Sequence, residues 1–96
     1  MDDRKIFTIH GNNINTLPEF HDEIQRVLCP GFKHYGRSWD ALNDILRGGF
    51  RTFELDEKIT IIFKNKKHVR KSLGEGFLNR FTKLVEQHNH IKLLFE

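Results

Sequence analysis

The sequence predicts an α/β fold, a three-stranded parallel sheet packed with three to four helices, and three observations carry that prediction. Short apolar runs at residues 5–9, 60–63 and 91–95 have the length and character of strands. The stretches between them are long and contain amphipathic segments, as parallel pairing requires, because a tight turn joins only antiparallel strands. Crossovers of this kind are right-handed. The middle run, Thr60-Ile61-Ile62-Phe63, is apolar almost throughout, the pattern expected of a parallel strand buried on both faces.

The elements follow in order. The first strand, residues 5–9, runs into a turn at Gly11-Asn12-Asn13. Thr16-Leu17-Pro18-Glu19 has the form of a capping box: Thr16 caps a helix and Glu19 reaches back to it. Pro18 falls in the first turn, where its missing N–H costs little. Leu17, Phe20, Ile24, Val27 and Leu28 give the helix an apolar stripe, which Pro30-Gly31 stops. Ser38 then caps a second helix of about nine residues; at about 100° per residue, Trp39, Leu42, Ile45 and Leu46 share one face. Asp40, Asn43, Asp44 and Arg47 share the other, and Gly48-Gly49 ends the helix. After the middle strand, residues 65–72 read as a short basic helix or turn. Phe77, Leu78, Phe81, Leu84, Val85 and His88 repeat at helical spacing, Asn89 ends that helix, and the last strand follows. There is no internal repeat, low-complexity tract or linker, so residues 1–96 read as one domain.

Bulk composition excludes several classes. With 38% hydrophobic residues and nine Phe in 96, the chain has the composition of a globular protein with a real core. No apolar run is long enough to span a membrane, and the N-terminus lacks the apolar stretch of a signal peptide. A lone Cys29 cannot form an internal disulfide, which fits a reducing cytoplasm; between Leu28 and Pro30 it reads as a buried structural thiol. Net charge is +3, but residues 1–63 hold eight Lys/Arg against ten Asp/Glu, whereas residues 64–96 hold eight against three. The two parts point to different partners.

The most informative stretch is the second helix with its flanks. Tyr35-Gly36, the cap Ser38, Asp40-Ala41-Leu42-Asn43-Asp44, then Leu46-Arg47-Gly48 and an aromatic at Phe50 resemble the barstar family of intracellular ribonuclease inhibitors. The resemblance covers nearly the whole chain and is weakest over residues 50–57 and 65–74. Residues 47–54 are similar to a barstar-related subgroup rather than to barstar itself. The resemblance implies a parallel sheet with the first strand in the middle, no enzymatic activity, no cofactor, and a ribonuclease as partner, the chain being a monomer when free. It implies that Asp44 enters the nuclease active site in place of a substrate phosphate and that Asp40 is a second interface acid. His34 matches an aromatic lying on the nuclease, beside Tyr35 and Ser38, with the Gly48 exit allowing close approach and Phe50 standing for an interface Trp. Asn43 stands where barstar has a Trp, which makes the centre more polar. Lys83 aligns with an outlying interface Glu; that reversed sign points to a different nuclease or to absence of this contact.

Each signal has a plainer reading beside it. Asp40 and Asp44 could be a solvated helix face, repelling one another by roughly 0.2–0.5 kcal/mol. As the acid and base of a hydrolase they lack an oxyanion hole, a metal set or a defined pocket. Lys64, Lys66, Lys67, His68, Arg70 and Lys71 form a basic run whose alternative is RNA binding over residues 64–71, but without interleaved aromatics for base stacking. Gly74-Glu75-Gly76 reads as a turn rather than a phosphate loop. The six His show no ligand spacing beyond His88-x-His90, and no Cys accompanies them, which argues against zinc. Trp39 reads as core.

Overall fold

The computed structural model describes residues 4–49 and 51–96. Along the chain run β1 (Lys5–His10), a 3-10 turn (Gly11–Asn13), α1 (Leu17–Leu28), α2 (Trp39–Arg47), β2 (Ile59–Lys64), α3 (Lys66–Leu73), α4 (Glu75–Glu86) and β3 (Ile91–Phe95). All strands are parallel, with Lys5 opposite Ile59 and Ile59 opposite Ile91. The α/β class and the parallel three-stranded sheet are as the sequence predicts.

The strand order is not. It is β1-β2-β3, which puts the second strand in the middle, not the first. Composition explains the choice. β2 is the strand with Ile59, Thr60, Ile61 and Phe63 all buried and its one exposed residue, Lys64, at its end, whereas β1 carries exposed Lys5 and Ile6 and β3 exposed Lys92 and Leu94, as edge strands commonly do. The expectation that residues 60–63 are buried on both faces holds only in part, since Thr60, on the face away from the core, is 7% exposed but Ile62 beyond it is half-buried. Two right-handed crossovers stepping in the same direction bring their helices to the same side of the sheet. The core accordingly forms there, from Ile9, Ile59, Ile61 and Phe63 with residues of all four helices. On the opposite face Ile62 is half-buried, while Ile6 and Leu94 are exposed.

Local signals place the helix starts. Thr16 Oγ1 accepts from Glu19 N–H at 3.3 Å, and Glu19 Oε1 accepts from Asn15 N–H at 3.1 Å, so the capping box closes one residue earlier than its usual form. The Gly74-Glu75-Gly76 turn shrinks to Gly74 alone, whose φ of +94° separates α3 from α4. α4 ends at Glu86, before Asn89, because its last turn tightens: Gln87 N–H donates to Leu84 O and His88 N–H to Val85 O. Cys29 is fully buried, and burial pushes its thiol pKa up.

One buried acid was not foreseen. Glu23 in α1 is 4% exposed, and its Oε2 accepts from His10 N–H at 2.7 Å and from Arg26 Nη2 at 2.6 Å. Burial by itself would raise its pKa, but the bonds from Arg26 and His10 and the charge of Arg26 hold it below the usual range. It ties the end of β1 to α1.

Candidate protein-binding site

The rotation of α2 about its axis decides what the molecule presents, and packing fixes that rotation. Leu42 and Leu46 are fully buried, Ile45 nearly so, and half-buried Trp39 lies 6.0 Å from the Phe20 ring and 5.6 Å from Phe77. Ser38 Oγ accepts from Ala41 N–H at 3.1 Å, which supplies the expected cap. Asp40, Asp44 and Arg47 are therefore exposed, with Asn43 half-buried between them. Among the described residues neither aspartate has an ion-pair partner. Two uncompensated carboxylates stand one helical turn apart on a capped, packed helix.

Three hollows flank this ridge. One of about 240 Å³ lies between Asp44 and the 32–36 loop, lined by Phe32, His34, Tyr35, Gly36, Ala41 and Ile45. His34 is exposed there, its ring 6.0 Å from Phe32. Tyr35 is only 5% exposed, so it supports that hollow from below, with its hydroxyl 2.8 Å from His21 Nδ1. Burial raises the Tyr35 pKa well above the ordinary tyrosine range. Burial, followed by the charge of Arg37, lowers that of His21. Both groups are thus neutral, and the pair anchors the loop to α1.

A second hollow, about 350 Å³, separates α2 from α4; Trp39, Asp40 and Asn43 face Arg80, Lys83 and Gln87 across it. Lys83 is thereby brought next to the ridge. The third and largest, about 660 Å³, lies at the C-terminal end of α2 and is bounded by Arg47, exposed Leu55, Asp56 and residues 87–90. In it the His88-x-His90 pair has a role that ligand spacing did not suggest. His88 Nε2–H donates to Asn43 Oδ1 at 2.7 Å, and His90 Nε2–H to Leu46 O at 2.8 Å. Burial, with the charges of His90 and Arg47, lowers the His88 pKa. The connection from α4 to β3 thus braces α2 at two points.

The glycine exit brings the following loop close. Gly48 carries no Cβ where one would sit 3.1 Å from Leu55 Cα, and Asp56 N–H donates to Arg47 O at 2.9 Å. Phe50 lies outside the described residues. Phe53, which the sequence reading did not single out, anchors this loop: it is 5% exposed and its ring is 5.5 Å from Phe7.

The basic run divides. Lys66 Nζ lies 4.7 Å over the Phe95 ring, His68 Nε2 is 2.7 Å from Asn15 Oδ1, and Arg70 pairs with Glu75. Lys64, Lys67 and Lys71 stay exposed. Among the described residues no three His, Cys, Asp or Glu are grouped to hold a metal ion, and no helix is long and apolar enough to cross a membrane. In comparisons with known proteins, residues 4–92 match the family described as Barstar (barnase inhibitor). No curated protein matches the chain.

Proposed function

The chain belongs to the barstar family, and from that premise we propose that it inhibits a ribonuclease by placing the α2 ridge in the enzyme's active site, with Asp44 standing in for a substrate phosphate. The observation that carries this reading is the pair of exposed, unpaired carboxylates on a helix whose other face is fixed in the core. A ribonuclease binds its phosphodiester through cationic groups, and the same groups can form charge-assisted hydrogen bonds to a carboxylate. Because Ser38 caps the helix and His88 and His90 brace it, the backbone that carries the carboxylates needs no ordering on binding. Asp40 is the second acid, His34 is a contact beside Asp44, Phe50 stands for the family's interface Trp, and Asn43 and Gly48 shape the middle and the exit. The partner would be a secreted ribonuclease or toxin of the same cell, met in the cytoplasm by its immunity-type inhibitor.

An RNA-binding role for residues 64–71 has less support, since half of that run is engaged with Phe95, Asn15 and Glu75. The deciding experiment titrates inhibition of barnase-type ribonucleases by native chain and by Asp44→Ala. Binding should weaken by about 2–5 kcal/mol, chiefly through faster dissociation, which is the range for truncated interfacial charge pairs, barnase–barstar among them. A loss below about 0.5 kcal/mol with an enzyme the native chain inhibits would refute the plug.

A further inference from the structure

We propose that Arg80 and Lys83 form a second, cationic anchor of the binding face, selecting a ribonuclease that carries a surface carboxylate beside its phosphate-binding site. The inference rests on the inhibitor reading above and adds the chemistry of the partner. Arg80 and Lys83 are both exposed on α4, one turn apart, and line the hollow whose opposite wall carries Asp40. Among the described residues neither cation is paired with that aspartate or with any other acid. Arg80 is nonetheless held: its guanidinium carbon lies 4.6 Å from the centroid of the Trp39 ring. Stacked in this way, the planar fork is ordered before any partner arrives and stays free to accept a carboxylate in bidentate fashion.

Charge balance tells which partner fits. Asp40 and Asp44 against Arg47, Arg80 and Lys83 leave a single positive charge, too little to hold a polyanion such as RNA by charge alone. A phosphate drawn to the cations would also come close to Asp40, within the roughly 10 Å over which charges act in moderate salt. A protein surface of alternating sign gains at each contact instead. Packed helices lie about 8–10 Å apart and Asp44 stands one turn, about 5.4 Å, along α2 from the Asp40 that faces the cations, so the partner's carboxylate belongs on the order of 10 Å from the cationic pocket that receives Asp44. A uniformly basic enzyme surface would meet Arg80 and Lys83 with like charge and be rejected, which is how such an anchor confers specificity.

The test uses purified barnase-type ribonucleases of known structure, barnase included, sorted beforehand by whether a carboxylate lies within about 10 Å of the phosphate site. Inhibition constants are measured for the native chain, for Asp44→Ala, and for the double variant Arg80→Glu with Lys83→Glu, whose folding is checked by urea unfolding. The native chain should favour the carboxylate-bearing enzymes by about tenfold or more, and the double variant should reverse the order. If both rank the enzymes alike, the anchor is overturned while the plug stands. If Asp44→Ala inhibits every enzyme as well as the native chain, the plug itself fails. Gel-shift retention of single-stranded RNA by the native chain, lost in the double variant, would overturn the carboxylate assignment in favour of nucleic acid.

Discussion

Replacing Gly49 by Ala tests whether the loop after α2 is packed as described. Gly49 is buried, and an added Cβ would lie closer than 3.0 Å to Thr52 Oγ1 and to two ring atoms of Phe53. Neither neighbour can yield cheaply. Thr52 Oγ1 donates to Leu28 O at 2.7 Å, and Phe53 is held between Phe7 and His90, at 5.5 and 6.5 Å. Overpacking costs about 1–3 kcal/mol, and two tethered neighbours place Gly49→Ala in the upper half of that range. At roughly 4–8 °C per kcal/mol for a domain of this size, the midpoint of thermal unfolding should fall by about 8–24 °C. Trp39, the single tryptophan, sits half-buried against Phe20 and Phe77 and gives a fluorescence signal for urea and thermal unfolding. Two controls bracket the result. Gly48→Ala meets the Leu55 backbone at 3.1 Å in an exposed loop that can shift, so it should cost under about 1 kcal/mol. Gly76→Ala meets nothing within 4 Å in the first turn of α4 and should be neutral or stabilising by a few tenths. A Gly49→Ala chain within about 0.5 kcal/mol of native, or one less perturbed than Gly48→Ala, would show that the loop does not close on Gly49.

Acid should lower the protein's stability over two pH ranges. His21, lowered in the fold from 6.5, takes up its proton first in the unfolded chain, so stability declines as pH falls below about 6.5. Glu23, lowered from 4.5, contributes stability above that value that is lost as pH falls through its folded pKa; Glu23→Gln should cost about 1–3 kcal/mol at neutral pH and flatten the lower limb of the stability–pH curve. A lower limb as steep in the variant as in the native chain would assign the acid sensitivity elsewhere. For the basic run, changing Lys66, Lys67 and Lys71 to Gln together should leave ribonuclease inhibition intact; a large loss would bring residues 64–71 into the binding face.

What was legible in the sequence was local. The caps at Thr16 and Ser38 and the faces of α2, α4 and, apart from exposed Leu17, α1 follow from side chains within a turn or two of each other, where residue spacing is informative. Partners far along the chain were not legible. His88 with Asn43, Tyr35 with His21 and Glu23 with the His10 amide join segments that periodicity marks only as buried or exposed. Strand order is non-local too, and the family resemblance pointed to β1 as the centre. The nearly continuous apolar run of β2 was the better guide, because the central strand is the one hydrogen-bonded along both edges. At the candidate site the ridge of Asp40 and Asp44 could be read directly from residue spacing. Arg80 could not, since its significance lies in the Trp39 ring beneath it.

The central place of β2 governs the order in which the chain can fold. Residues 5–10 pair only with residues 59–64, and residues 91–95 likewise, so neither edge has a sheet partner until the middle strand is present. Chain closure scarcely discriminates between the two docking events: the longer crossover, through α1 and α2, costs only about 0.5 kcal/mol more than the one through α3 and α4. During synthesis, α2 with its acidic ridge leaves the ribosome before the strand that completes its scaffold. A fragment ending before Ile59 therefore holds the acidic ridge but neither the Arg80 and Lys83 anchor nor a sheet to set the orientation of α2.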